Sequence, residues 1–182
     1  VGAISLVSNP PTNVGAVYSD LGTFGFSFLI LITMWLRYTR IMSVFPIETR
    51  RVNNLNILLL FCVSIEPFLF NLITRTPAVT DPYAFGNVTS QLYALDLGAM
   101  FAILGGFTFT LADAERKLIP KELTRQYRVD GVSLFVFGLI FLVSALPFFY
   151  PITLGSGVSL RYYLWALPLV LIWLRSSTRR TP

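Results

Sequence analysis

The stretch 53–74, NNLNILLLFCVSIEPFLFNLIT, decides the fold. It is dominated by leucine and phenylalanine, and its length matches the ~20 apolar residues that carry a helix across a hydrocarbon core. Glu66-Pro67 lies well inside the apolar run, where proline predicts a kink. Upstream, past a turn marked by Pro46, a second block covers 21–45; downstream, further blocks cover 91–112, 131–149 and 158–174. Val1 to Ser8 is also apolar, but Asn9-Pro10-Pro11 ends it after too few residues to cross. It reads as a disordered start or as the last turns of a helix. Because the chain opens on Val1 and not on methionine, we expect that helix to be incomplete in this sequence.

Composition agrees. Only 13% of the 182 residues are charged, about half the share in soluble domains, and 54% are hydrophobic. The expectation is an all-α integral membrane protein, with 1–182 forming a single transmembrane domain.

The net charge of +5 would suggest a nucleic-acid partner in a soluble protein, but the basic residues occupy the connections between apolar blocks. Arg37, Arg40, Arg50 and Arg51 flank the first turn, and Arg116, Lys117, Lys121, Arg125 and Arg128 lie in the amphipathic, charged stretch 113–130. Arg175, Arg179 and Arg180 lie in the tail. Alternate connections fall on opposite sides, so of the fourteen basic residues only Arg75 and Arg161 are left on the other side. The positive-inside rule makes the basic side cytoplasmic. With Val1 to Ser8 as the end of a first helix, the expected subunit has six transmembrane helices, is multi-pass in the cell membrane and has both termini in the cytoplasm. Asn87-Val88-Thr89 fits a glycosylation sequon on the outer side, a pattern common by chance and without meaning in a prokaryote.

Histidine is absent and Cys62 is the single cysteine. The chain therefore lacks the commonest general base and metal ligand and has no cysteine cluster. Neither a glycine-rich phosphate loop, a T-V-G-Y-G filter loop nor a Ser/His/Asp set is present. No catalytic residues, metal site or cofactor are expected, and an enzyme ranks last.

The ionisable residues inside apolar blocks are functional candidates. Glu66 lies about 18 Å from the start of its helix, and Asp96 about 10 Å from the opposite side, which puts the two carboxyl groups at similar depth. They could share a cation-attracting vestibule or each tie neighbouring helices together. Trp35 and Tyr38, three residues apart on one face, and Asn56 at the start of the next helix form a second set. They read either as a polar network anchoring helices or as interfacial belt residues. The Gly105-Gly106 pair allows close helix packing.

Phe26-Ser27-Phe28, Trp35-Leu36-Arg37-Tyr38 and, after a basic turn, Asn56-Ile57-Leu58-Leu59-Leu60-Phe61 leading to Pro67-Phe68 resemble the prokaryotic relatives of the lysosomal potassium channel transmembrane protein 175, the DUF1211-type family. The resemblance implies a six-helix subunit in a homotetramer, with potassium passing along a central pore lined by the first helix. It also implies that Trp35 and Asn56 hold that helix through polar contacts. Tyr38 stands where the family usually has histidine, and the family's Arg-x-x-x-Phe-Ser-Asp signature is absent. Ala3 to Val7 resemble the outer end of the pore helix, which makes Ile4 and Leu6 pore-lining candidates.

The leading expectation is a potassium-preferring cation channel whose partners are the bilayer, its own copies and monovalent cations. The alternatives are a secondary transporter and a non-conducting scaffold. Against a transporter, only Pro67 and Pro147 are expected to break full spans, with no convincing internal repeat.

Overall fold

The computed structural model describes residues 14–45, 49–75, 85–113, 118–149, 152–154 and 158–178. Five α-helices account for most of them: α1 (Val14–Met42), α2 (Arg50–Arg75), α3 (Phe85–Leu111), α4 (Lys121–Ser144) and α5 (Leu160–Thr178). Among the described residues, Arg50–Ile73, Phe85–Leu111 and Lys121–Ser144 are long and apolar enough to cross a membrane, the mark of a membrane protein. Between α4 and α5 the chain makes a 3-10 turn, Pro147–Phe149, and a two-residue antiparallel ribbon of Thr153–Leu154 with Val158–Ser159. The Leu160 amide closes that ribbon onto the Ile152 carbonyl at 2.8 Å.

The helices overrun the apolar blocks. α1 begins at Val14 instead of near 21, and α3 begins at Phe85 instead of 91, which draws Asn87 into the helix. The charged residues 121–130, expected as connection, form the first turns of α4. Pro120, extended at φ −54° and ψ 145°, releases the chain into that helix. Lys121, Glu122, Leu123, Arg125 and Gln126 are strong helix formers, and Glu122 in the first turn suits the helix dipole. At the other end α4 stops at Ser144, before the apolar block does, because Pro147 cannot continue it. Pro147 therefore lies beyond α4, whereas Pro67 lies inside α2 and Pro168, missed in the sequence, inside α5. Neighbouring helices and side chains can re-satisfy the backbone groups that such prolines free.

Residue pairing shows that consecutive helices run antiparallel. Ser27 of α1 meets Glu66 of α2, and Tyr38, further along α1, packs on Phe107 of α3. Tyr93 near the start of α3 meets Glu66, while Gly106 near its end faces Leu55 at the start of α2. In α4, Gly131 lies against Phe109 and Leu142 against Gly98. The basic residues Arg37, Arg40, Arg50, Arg51, Lys121, Arg125 and Arg128 thus gather at one end of the bundle, and Arg161 stands at the other.

α3 is the hub. Its apolar window is 72% buried, against 22% for α2, and Tyr93, Leu97, Met100, Leu104, Phe107 and Leu111 repeat at alternating spacings of four and three along one inward row. α2 contributes a matching stripe, Val52, Leu59, Cys62, Glu66, Leu69 and Ile73. α3 and α4 approach most closely, through Gly98 and Gly105 on one and Gly131 and Gly138 on the other. Phe135 presses onto Gly105 and Phe109 onto Gly131, and the two rings lie 5.4 Å apart. Small residues let the backbones come close enough for dispersion to hold them, which in lipid replaces the hydrophobic effect. The Gly105-Gly106 pair therefore serves two neighbours, Gly105 facing α4 and Gly106 facing α2.

Candidate functional site

Glu66 falls in the inward stripe of α2, three and four residues from Leu69 and Cys62, and its side chain is fully buried. Ser27 Oγ of α1 donates to its carboxyl at 2.9 Å to Oε1 and 3.2 Å to Oε2, and Tyr93 Oη of α3 donates to Oε1 at 3.3 Å. Three helices thus converge on one acidic group. In hydrocarbon such a group needs these donors, because water is not at hand to satisfy it.

One turn along each helix, Cys62 of α2 interacts with Asp96 of α3. Asp96 is 8% exposed, and its Oδ2 has no hydrogen-bond partner among the described residues. The helix geometry puts it deeper than the sequence implied: from Phe85 it is eleven residues, about 16 Å, into α3. Tyr93 bonds Glu66 and lies three residues before Asp96, so the two carboxyl groups occupy neighbouring turns of the α2–α3 contact.

Aromatic rings brace this level. Phe26 lies 6.2 Å from Phe70, Phe70 lies 5.4 Å from Tyr93, and Tyr93 lies 5.2 Å from Trp165, a ladder running through α1, α2, α3 and α5. Trp165 Nε1 donates to Ser144 Oγ of α4 at 2.8 Å, and Ser144 in turn donates to its own helix at the Phe141 carbonyl. Tyr93 therefore joins Glu66 to the α4–α5 contact.

A second polar knot lies toward the other end of α3. Arg161, at the start of α5, is fully buried; Nη1 donates to Ser90 Oγ at 2.6 Å and Nη2 to Asn87 Oδ1 at 3.1 Å. Sequence reading counted Arg161 among the basic residues of the outer side, at the start of the block 158–174, and Asn87 in a sequon on that side. Both are interior, because α3 starts early enough to bring Asn87 and Ser90 beneath α5.

The Trp35, Tyr38 and Asn56 set is brought together in part. Trp35 and Tyr38 meet at 5.9 Å with their rings tilted, Trp35 is 58% exposed, and Tyr38 leans on Phe107 of α3. Asn56 is half-buried, and its Oδ1 has no hydrogen-bond partner among the described residues. Ile4 and Leu6 lie outside the described residues. Ser27, Tyr93, Ser90 and Arg161 are the polar participants that the sequence did not single out. A turn-by-turn match of the inward rows would have found Tyr93, which lies three residues before Asp96.

Among the described residues, no group of three or more His, Cys, Asp or Glu side chains could hold a metal ion. Comparisons with protein-family models, with curated proteins and with solved structures found no match.

Proposed function

We propose that this chain is a subunit of a potassium-preferring cation channel, a relative of the prokaryotic transmembrane protein 175 channels. In this reading it is a six-helix subunit of the cell membrane, with both termini cytoplasmic, that assembles as a homotetramer around a central pore. The observation that carries the reading is the burial of two acidic groups, Glu66 of α2 and Asp96 of α3, well inside apolar helices. Such groups are costly in a bilayer and mark ion pathways in membrane proteins. The segments that resemble the channel family fall on α1 and α2, and Ser27, within Phe26-Ser27-Phe28, is the residue that reaches Glu66. Residues 1–8 supply the outer turns of the axial helix in this reading, with Ile4 and Leu6 facing the ion path. An apolar ring there would admit ions by wetting.

Reconstitution tests it. The full-length protein in potassium-loaded liposomes is expected to pass potassium above a protein-free control and to exclude chloride. Absence of flux, or equal chloride flux, would remove the channel reading.

One observation favours a second reading, a non-conducting scaffold: both oxygens of Glu66 are engaged by donors from neighbouring helices. In a scaffold, Glu66→Gln changes thermal stability and leaves no flux to change.

A further inference from the structure

We propose that the outward row of α4 binds an anionic phospholipid of the leaflet at the basic end of the bundle. At about 100° per residue, Lys121, Arg125, Arg128, Val132, Leu139 and Val143 fall within about 60° of one line along α4, and all six are exposed. The line runs opposite Leu134, Phe137 and Phe141, the buried residues that seat α4 on the bundle. Its first three members are basic and its last three apolar, so one strip changes from charge to grease between Arg128 and Val132. Lys121, Arg125 and Arg128 make no side-chain hydrogen bond or ion pair with the described residues. The acids of the same segment lie off the strip: Asp130 falls about half a turn away, on the side of the bundle, and Glu122 about a quarter turn round.

The dimensions of the strip are those of a lipid. Val132 to Val143 covers about 16 Å of helix, the depth of hydrocarbon in one leaflet of a core ~30 Å thick. Lys121 to Arg128 covers about 10 Å more, enough to reach through the headgroup layer. The charges therefore stand where phosphodiesters lie, and the acyl chains below them meet Val132 and Leu139. Arginine grips a phosphate through two parallel hydrogen bonds, and the stems of lysine and arginine lie on apolar surface with the charge among the headgroups. An acidic soluble protein would match the three charges but has no use for the greasy continuation. α2 lacks the arrangement, because Arg50 and Arg51 are neighbours in sequence, about 100° apart, and cannot both head one row. The inference needs α4 to cross the membrane and does not need the channel reading.

The test is native mass spectrometry of the purified full-length protein, with phosphatidylglycerol and phosphatidylcholine of identical chains added in equal amounts. Wild-type protein is expected to retain phosphatidylglycerol over phosphatidylcholine by about fivefold or more, the ratio that one Lys or Arg near an anionic surface contributes. Lys121→Gln/Arg125→Gln/Arg128→Gln should bring the two lipids to parity, whereas Arg50→Gln/Arg51→Gln should keep the preference. All five positions are exposed and glutamine is a strong helix former, so neither variant disturbs the packing. Parity in the wild-type protein would overturn the proposal without any variant. A preference unchanged in the triple variant would overturn it too, as would one that both variants lower equally, the mark of diffuse charge attraction. Displacement of the lipid by chainless glycerol phosphate would make the anion, and not the lipid, the ligand and would also overturn it. Loss of subunits in the triple variant with lipid retention unchanged would give the row to a second copy of the chain instead.

Discussion

Gly138 of α4 meets Gly98 of α3 backbone to backbone: a methyl group on Gly138 would stand 3.0 Å from the Gly98 carbonyl oxygen. A carbonyl held in a helix cannot swing aside, so Gly138→Ala must push the two helices apart. We expect a loss of about 1–3 kcal/mol, measured by unfolding in detergent. Gly22 of α1 has nothing within 4 Å of the corresponding point. Gly22→Ala is expected to stabilise by about 0.5–1 kcal/mol through helix propensity. Equal effects at the two sites would mean that the α3–α4 seam is not a tight contact.

At Glu66 two substitutions part company. Glutamine keeps an acceptor for the Ser27 and Tyr93 hydroxyls, whereas leucine leaves both buried without one. Glu66→Leu should therefore unfold about 1–3 kcal/mol more easily than Glu66→Gln. Leucine as stable as glutamine would show that these hydrogen bonds do not hold the three helices.

Arg161→Lys retains charge but not the two-pronged reach to Ser90 and Asn87. A lysine ammonium is a point donor, so a loss of about 1.5–3 kcal/mol is expected despite the unchanged charge. The same interior placement makes Asn87 a poor glycan acceptor. Expression in glycosylating cells should give a band whose mobility a glycosidase does not change.

For Trp165→Phe, the ring stays against Tyr93 and the donation to Ser144 is lost. A double-mutant cycle with Ser144→Ala should return a coupling of about 0.5–1.5 kcal/mol. Zero coupling would mean that this hydrogen bond contributes nothing to the α4–α5 contact.

Three of the blocks were plain in the sequence because mean hydropathy depends only on composition, and Arg50–Ile73 follows the block read at 53–74 closely. The inward faces were hidden. α2 is apolar all round, so Ile57, Leu58, Leu60 and Phe61 outside look like Leu59 and Leu69 inside, and periodicity cannot separate them. Glu66 does separate them, since an acidic residue marks the protein side of a membrane helix. The partners of Arg161 were beyond reach: it looks like a charge at the outer end of its block unless α3 is known to begin at Phe85, and residues 85–90 are too polar for hydropathy to include them. The start of α4 escaped for the same reason, because charge in a helical register looks like a connection.

The enclosure of α3 bears on how this sequence can change. Asn87, Thr89, Ser90, Asp96, Thr108 and Thr110 all lie buried on it, so a helix at the heart of a membrane protein carries much of the chain's interior polarity. Its surroundings are other side chains, and a substitution there must suit several neighbours at once. The outward row of α2 answers only to being greasy, and Ile57, Leu58, Leu60, Phe61 and Phe68 can trade places with one another. Descendants of this chain should therefore drift fast along α2's outer face and hold α3 nearly fixed, so ancestry would be traced through the helix least exposed to lipid.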